Sequence, residues 1–434
     1  MSQRTQRTDQ PLRNLDWTTV FIYLIMVTLG WMNIYAAVLD APTGTDDAVQ
    51  QSIFDLGLNS GKQLLWIGTS LFLALMIMVI DYKFYETFAY VIYGLVIVSL
   101  LGVLAIGSVV AGSKSWFEIG SFRVQPAEFA KFATALALAR YIGLPTVRLD
   151  RRNYQMAVAA IIGFPALLII LQNDTGSMLV FSCFIIVLFR EGLPGVYPGL
   201  GLSMIAVFVL TLLMPKYWLM GGMAVLAGVF IMLIPKRLSN ILKVVGGLAV
   251  VCSIIFGVDF FVTDVLQPHQ QDRIKALIDP GADPLGFGWN VTQSKIAIGS
   301  GGFIGKGWQE GTQTKFDFVP EQSTDFIFCT IGEEHGWLGS LIIIGLFIWL
   351  MYRVIFIAER QKSRFARVYG YSVASVFFFH FTINIGMTIG LFPVIGIPLP
   401  FFSYGGSSLW SFTVLLFILL KLDSHRSQLL NRRV

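Results

Sequence analysis

The feature that most constrains this chain is a series of long apolar runs separated by polar connections. A helix needs about 20 apolar residues to cross a hydrocarbon layer about 30 Å thick, and many of the runs reach that length. Hydrophobic residues make up 55% of the 434 residues and charged residues only 13%. The sequence therefore predicts an all-α polytopic membrane protein with a retained first helix.

We predict about twelve transmembrane helices, at residues 17–38, 63–80, 87–110, 126–143, 155–172, 177–190, 196–213, 219–234, 242–262, 326–351, 367–390 and 407–421. Residues 1–16 and 422–434 are then tails, 17–262 carry helices one to nine, 263–325 form a long loop and 326–421 carry the last three helices.

The distribution of charge predicts which side each connection occupies. About two thirds of the 31 Lys and Arg residues fall in the tails and in every second connection, including "RLDRR" and "ERQKSRFAR". By the positive-inside rule both termini are cytoplasmic, and the long loop is extracytoplasmic. The net charge of +5 reflects this insertion pattern and gives no indication of nucleic-acid binding.

Three connections on the outer side combine Gly or Pro with aromatic and polar residues. They are the long loop, "GSKSWFEIGSFRVQPAEFAK" between spans three and four, and "GLFPVIGIPLPFFSYGGSS" between spans eleven and twelve. Irregular backbone near a membrane is tolerated where it is buried in protein or lines a wet cavity, so the three loops predict a shared outward cavity. Within the long loop, "NVTQSKIAIG" suits a short amphipathic helix.

Two carboxylates, Glu321 and Asp325, precede the apolar run of span ten. Asp325 has two interpretations: an acid that stabilises the helix N-terminus, or a general base. Because Thr324 and Ser323 are available as helix caps, and because ionisable groups near the apolar layer are often functional, we favour the base. Glu128 and Lys131 are three residues apart at the start of span four and are predicted to pair, a role that is more often structural than catalytic.

Basic residues on the outer side are candidates for binding an anion or lipid phosphates; they are Lys114, Arg123, Arg273, Lys275, Lys295 and Lys306. The run "GSGGFIGKG" has the composition of a phosphate-binding loop but lacks the GK[ST] pattern. The alternative is a flexible connection with no binding role. The histidines at 269, 335, 380 and 425 show no metal-site spacing, and His380 is interpreted as a satisfied core residue.

Four runs, "SWFEIGSFRVQPAEFAK", "QSKIAIGSGGFIGKGWQEGTQ", "VPEQSTDFIFCTIGEEHGWLG" and "INIGMTIGLFPVIGIPLPFFSYGGSS", closely resemble the SEDS family (shape, elongation, division and sporulation). Within these runs, the sequence "QSKIAIGSGG" resembles the corresponding motif of the rod-shape-determining RodA branch. Family members usually have ten spans, so the hairpin 196–234 is expected to be additional. The chain departs from the family at Ser115, where an Arg is common, and at "QNDTGS" (172–177), where "QPDLGT" is common.

The resemblance implies a peptidoglycan glycosyltransferase that polymerises lipid II during cell elongation, in the bacterial cytoplasmic membrane with its active site outside. It assigns the essential carboxylate to Asp325 and the motif residues to Trp116, Glu128 and Lys131. Further candidates for binding substrate or supporting the site are Lys114, Arg273, Lys295, Lys306, Glu321 and Ser403. No metal ligands are predicted, although a divalent cation such as Mg²⁺ or Mn²⁺ is one possible source of charge compensation for the leaving group.

The expected partners are lipid II, a class B penicillin-binding protein that crosslinks the strands, and other proteins of the elongation complex. Two alternative functions stay open at this point: a lipid II flippase or other transporter, and a catalytically silent scaffold for a transpeptidase. Polar groups midway through several spans and inverted repeats would favour transport, and neither is clear in the sequence.

Overall fold

A computed structural model gives the fold and describes residues 14–38, 56–110, 112–120, 122–260, 262, 264, 271, 287–316 and 318–426. The helices are α1 Trp17–Val38, α2 Asn59–Val79, α3 Tyr82–Thr87, α4 Ala89–Ile106, α5 Pro126–Ile142, α6 Arg152–Leu171, α7 Thr175–Val180, α8 Phe184–Arg190, α9 Val196–Leu213, α10 Lys216–Leu233, α11 Leu238–Phe260, α12 Phe287–Ser300, α13 Thr312–Lys315, α14 Ile327–Glu359, α15 Arg364–Thr388 and α16 Gly406–Ser424. A small antiparallel sheet, β1 Ser108–Val110, β2 Ser113–Ile119 and β3 Phe122–Val124, lies between α4 and α5 in the chain.

Among the residues that the structure describes, ten helices are long and apolar enough to cross a membrane: α1, α2, α4, α6, α9, α10, α11, α14, α15 and α16. The other two predicted spans fall on α5, which has 17 residues, and on α7 and α8, which a short 3₁₀ turn at Phe181–Cys183 joins. The prediction of an all-α polytopic membrane protein is confirmed. The number of crossings and the boundaries of the tails and loops stay predictions.

Helix α16 forms the centre of the larger of two compact units, Met1–Leu193 with Gln293–Val434. Its residues from Ser407 to Ser424 are almost all buried, and it packs on α2, α5 and α15. Helix α5 contributes "ATALALA", a run of mostly small side chains that lie buried. Small side chains let membrane helices approach closely, so this packing places the polar residues at the start of α5 deep in the unit.

The smaller unit, Pro194–Thr292, contains α9, α10 and α11. Helices α9 and α10, which cover the predicted hairpin 196–234, both pack mainly on α11. Their side chains are largely exposed and apolar, which suits contact with lipid. Lys216 and Asp259 form an ion pair of 2.6 Å between α10 and α11.

The structure describes parts of two connections that are predicted to be extracytoplasmic. The stretch after α4 is a sheet, whereas the sequence analysis treats it as irregular; β2 and β3 are joined across residues 120–121, where Gly120 has φ +62°, a conformation that glycine adopts readily. The helix predicted within "NVTQSKIAIG" is confirmed as part of α12, with Val291, Ser294 and Ala297 buried.

Candidate active site

Asp325 lies in a turn two residues before α14 begins at Ile327, and it is half-buried. The Asn384 side chain on α15 donates a hydrogen bond of 2.9 Å to the Asp325 backbone carbonyl. The carboxylate lies against the loop between α15 and α16, residues 389–405, because a Cβ on Gly396 would be 3.3 Å from Asp325 Oδ2. Gly396 has φ +75°, so this approach needs a glycine for its backbone as well as for its space.

The residues before Asp325 stabilise the turn and not the helix. The expectation that Thr324 or Ser323 caps α14 is wrong, since the N-cap position is Phe326 and has no side-chain cap. The Thr324 hydroxyl instead donates to the backbone carbonyl and the carboxylate of Glu321, at 3.2 and 2.9 Å. Glu321 is exposed with φ +57°, so its carboxylate takes part in a local turn.

Ser403 connects the 389–405 loop to this turn. Its buried hydroxyl donates to the Thr324 backbone carbonyl at 2.6 Å and accepts from the Leu399 N–H at 2.8 Å. The Tyr404 N–H donates to the Ser323 carbonyl at 2.9 Å. Ser403 therefore supports the backbone next to Asp325 and is occupied by protein contacts.

The predicted pairing of Glu128 with Lys131 is confirmed. Lys131 Nζ lies 2.8 Å from Glu128 Oε2, with the two side chains 0% and 4% exposed. The same ammonium group lies 3.0 Å from His380 Nε2 and 4.9 Å from the centroid of the Phe412 ring. His380 is fully buried and its Nδ1 lies 3.0 Å from the Pro398 carbonyl, so its interpretation as a satisfied core residue is also confirmed.

The candidates near the sheet have partners on α4 and on the sheet itself. Lys114 Nζ donates to the carbonyls of Leu104 and Ala105, at 2.8 and 3.2 Å, and so compensates the C-terminal end of α4. Arg123 pairs with Glu118 at 2.9 Å on the exposed surface. Trp116 is half-buried on β2 opposite Ser108.

The turn at 172–177 explains one departure from the family pattern. Asn173 has φ +60°, which proline, with φ fixed near about −65°, cannot adopt. Asp174 caps α7 by accepting from the Ser177 N–H at 2.9 Å, and it accepts from Gln125 Nε2 at 2.7 Å. The shared aspartate therefore joins α7 to the residue that precedes α5.

The glycine-rich run is packed against a break in α14 at Gly336, which has φ +62°. The N–H groups of Lys306 and Gly307 donate to the carbonyls of Glu333 and Glu334, both at 3.0 Å, so they are not available for an anion. A Cβ on Gly305 would lie 2.1 Å from the Glu334 carbonyl oxygen. The run is therefore neither a phosphate-binding loop nor a flexible connection, because it packs against α14.

Glu333, which the sequence analysis missed, fixes this run in place. Its fully buried carboxylate accepts from Lys306 Nζ at 2.7 Å, from the Gln313 N–H at 2.9 Å and from the Thr314 N–H at 3.0 Å. The ammonium of Lys306 thus already has a carboxylate partner. Lys295 is exposed on α12, and Arg273 and Lys275 lie outside the described residues.

Comparison with known proteins agrees with the fold and the motifs. A family model described as a cell cycle protein, FtsW/RodA/SpoVE, matches residues 16–219 and 189–428. The peptidoglycan glycosyltransferase MrdB of Escherichia coli (strain K12) is 31% identical over 425 residues, covering 97% of this chain and 99% of the relative. The peptidoglycan glycosyltransferase RodA of Treponema pallidum (strain Nichols) is 32% identical over 392 residues, covering 84% and 89%.

Solved structures share the fold over nearly the whole chain. A chain from a structure titled "Structural coordination of polymerization and crosslinking by a peptidoglycan synthase complex" is 26% identical with a TM-score of 0.69, and the match covers 95% of this chain and 99% of that one. The crystal structure of the rod shape determining protein RodA of Thermus thermophilus is 23% identical with a TM-score of 0.59, covering 95% and 97%.

Proposed function

The chain belongs to the FtsW, RodA and SpoVE family and is a peptidoglycan glycosyltransferase, and from that premise we propose that it polymerises lipid II with Asp325 as the general base. The observation that carries the proposal is the position of Asp325. Asp325 is half-buried in a turn just before a spanning helix, and α15 and the 389–405 loop hold that turn.

The proposed reaction is a single displacement at an anomeric carbon. The 4-hydroxyl oxygen of the acceptor sugar attacks that carbon in a second lipid-linked sugar, the hydroxyl proton passes to Asp325, and the bond to the polyprenyl pyrophosphate breaks. An inverting displacement needs one base and a stabilised leaving group, and not the two flanking carboxylates of a glycosidase. Asp325 meets that requirement alone.

The leaving pyrophosphate needs positive charge or hydrogen-bond donors. Among the described residues no group of three or more His, Cys, Asp or Glu side chains could hold a metal ion by itself. The described residues thus offer no preformed metal site, and a divalent cation brought by the pyrophosphate of the substrate would neutralise charge on the leaving group. Lys295 and Arg273 remain candidates for the same task.

The protein is a multi-pass membrane protein, and its relatives associate it with cell-wall synthesis. We place it in the bacterial cytoplasmic membrane with both termini inside and Asp325 outside, where lipid II presents its sugars after flipping. The related chain in a peptidoglycan synthase complex supports a class B penicillin-binding protein as the partner that crosslinks the new strands.

One experiment separates the proposal from its alternatives. Purified protein is supplied with labelled lipid II, alone and with the partner transpeptidase, and is scored for glycan chains and for translocation of the lipid in vesicles. We expect chains from the wild type and only residual synthesis, ~10²–10⁴-fold slower, from Asp325→Asn. Translocation without chains would identify a flippase, and neither product with a folded protein would identify a scaffold.

A further inference from the structure

Two polar residues one helical turn apart on α15 hold neighbouring carbonyls of the 389–405 loop. Asn384 Nδ2 donates to the Ile397 carbonyl at 2.8 Å, and His380 Nδ1 lies 3.0 Å from the Pro398 carbonyl. Both side chains are 0% exposed. Residues at i and i+4 face the same side of a helix, so α15 presents both groups to one short stretch of the loop.

Asn384 also holds the residue proposed as the base. Its second amide hydrogen is directed to the Asp325 backbone carbonyl, at 2.9 Å. Its Oδ1 is buried and has no hydrogen-bond partner in the part of the chain that the structure describes. Its amide group therefore joins two carbonyls, that of Asp325 itself and that of Ile397, the residue after Gly396.

The tautomer of His380 follows from its two contacts. A carbonyl only accepts, so Nδ1 carries the hydrogen and donates to Pro398, and Nε2 accepts from the Lys131 ammonium at 3.0 Å. Lys131 is in turn paired with Glu128 at 2.8 Å. A continuous buried chain of contacts therefore runs from Glu128 through Lys131 and His380 to the loop, and from the loop through Asn384 to Asp325.

We propose that Asn384 is a positioning residue for Asp325, and that His380, oriented by Lys131, supports the same stretch of loop. Asn384 fixes the backbone of Asp325 relative to Ile397, and Gly396, the residue before Ile397, faces the carboxylate. The Glu128 and Lys131 pair then acts on catalysis through the loop and without contact to substrate. This inference rests on the proposed role of Asp325.

The kinetic test replaces Asn384 with an apolar residue of similar size. We expect Asn384→Leu to lower kcat for lipid II polymerisation about 10- to 100-fold with KM unchanged, since a small misplacement of a reacting group has effects of that order. In an Asp325→Asn background the same change should cause no further loss, because a positioning residue acts only through the group it positions. Full additivity of the two losses would overturn the inference.

A matched control is available in α1. Asn33 is also a buried asparagine, with 4% exposure, a donation of 2.8 Å to Leu29 in its own helix and an unpaired Oδ1. Asn33→Leu should lower the thermal stability to a similar extent but leave kcat unchanged. An equal loss of kcat in both variants would show that Asn384 has only a structural role.

If Asn384→Leu fails to fold, His380 provides the second pair of variants. A glutamine at 380 keeps a donor and an acceptor, whereas a leucine keeps neither. We expect His380→Gln to retain most of the kcat that His380→Leu loses. Equal kcat values for the two variants would contradict the proposal.

A measurement without substrate keeps this inference separate from the proposed function. Asp325→Cys, combined with Cys252→Ser to remove the half-buried native thiol, places a thiol at the site, while Cys183 and Cys329 are buried. Adding Asn384→Leu should change the rate at which a small thiosulfonate modifies that thiol, and adding Asn33→Leu should not. Unchanged rates would refute the positioning role even in an active enzyme. If the wild type makes no glycan, the proposed function fails while the thiol rates still decide this inference.

Discussion

At the scale of single residues, Asp325 and Glu321 are neighbouring carboxylates with different surroundings. Glu321 is exposed and accepts from the Thr324 hydroxyl at 2.9 Å within its own turn. Asp325 is half-buried, and Asn384 on α15 and Ser403 bind the backbone carbonyls of residues 325 and 324, one on each side of the Asp325 Cα. A base must be held within reach of the proton that it accepts, which favours Asp325 over Glu321.

The first prediction compares these two carboxylates. Asp325→Asn keeps the shape of the side chain but removes the proton acceptor, so we expect polymerisation to fall at least ~10²–10⁴-fold with normal membrane insertion. Glu321→Gln should have the milder effect. Chain synthesis is measured on purified variants with labelled lipid II, and near-normal synthesis by Asp325→Asn would remove it from the mechanism.

The sequence identifies some of these residues and not others for a physical reason. Asp325, Glu128 and Lys131 stand out because charge beside or within an apolar run is unusual, and the pair has a local spacing of three. Asn384 and Glu333 have partners that are distant in the chain, such as Ile397 and Thr314. Helical periodicity carries no information about those contacts. The one indication in the sequence is that two polar residues, His380 and Asn384, are four residues apart within an apolar span.

At the scale of elements, the centre formed by α5, α15 and α16 encloses the Glu128 and Lys131 pair. Burial removes both charges from water, so the pair is stable only as a unit. The prediction is strong coupling: Glu128→Gln and Lys131→Met should each cost about 3–5 kcal/mol, and the double variant should cost clearly less than the two added.

The control for this coupling is the exposed pair of Glu118 and Arg123, whose side chains are 42% and 56% exposed. The same double-mutant cycle there should give a coupling of at most about 1 kcal/mol. Both cycles are measured by thermal unfolding in detergent. Additive costs at Glu128 and Lys131 would contradict the coupling that their geometry implies.

Helix α14 depends on the glycine-rich run that packs at its break. Glu333→Gln would remove the ion pair with Lys306 and replace one of the two acceptor oxygens with an NH₂ group, which would face the N–H group of residue 313 or of residue 314. We expect a loss of about 2–4 kcal/mol and faster tryptic cleavage after Lys315, because the buried acceptor orders that segment. Glu310→Gln on the exposed surface is the control, and a loss no larger than that control would refute the role of Glu333 as an anchor.

Elements differ in how well the sequence predicts them. The spanning helices follow from apolar length, which is a property of each segment alone. The break at Gly336 and the three-stranded sheet arise from contacts between segments. Gly336 adopts φ +62° where the run at 303–305 packs against it, with a Cβ at 336 only 2.3 Å from the Gly305 nitrogen. Glycine marks such positions without specifying the partner.

At the scale of the whole molecule, a charged cluster joins the start of α1 to the ends of α14 and α16. Asp16 accepts from Arg360 at 3.0 Å and pairs with Arg353, and Asp423, which is fully buried, pairs with Arg360 and Arg426. Burial by itself raises the pKa of Asp16, but hydrogen bonds from the Thr19 N–H and hydroxyl, together with Arg353, outweigh it and lower the pKa below its ordinary value of 3.8.

This lowered pKa predicts a specific loss of stability in acid. A carboxylate whose pKa is lower in the folded state stabilises that state fully above its unfolded pKa, and the stabilisation is lost as the pH falls through the folded value. The thermal stability of the wild type should therefore fall more steeply below about pH 4 than that of Asp16→Asn. Parallel profiles for the two proteins would show that Asp16 does not contribute.

The orientation of the whole molecule decides whether Asp325 can meet its substrate, and helix α14 allows a direct test. The unbroken part of α14 after Gly336, residues 337–359, spans about 35 Å at about 1.5 Å per residue, which is enough to cross a hydrocarbon layer of about 30 Å, so we expect the two ends of α14 to lie on opposite sides of the membrane. Glu310 is exposed in the segment before the helix, and Lys362 is exposed just after it. The basic cluster around Arg353 and Arg360 lies at the second end, which the positive-inside rule assigns to the cytoplasm.

In a Cys252→Ser background, Glu310→Cys should react with a membrane-impermeant maleimide added to intact spheroplasts, and Lys362→Cys should react only after the membrane is opened. The reverse pattern would put Asp325 in the cytoplasm, away from the sugars of flipped lipid II, and would contradict the polymerase mechanism.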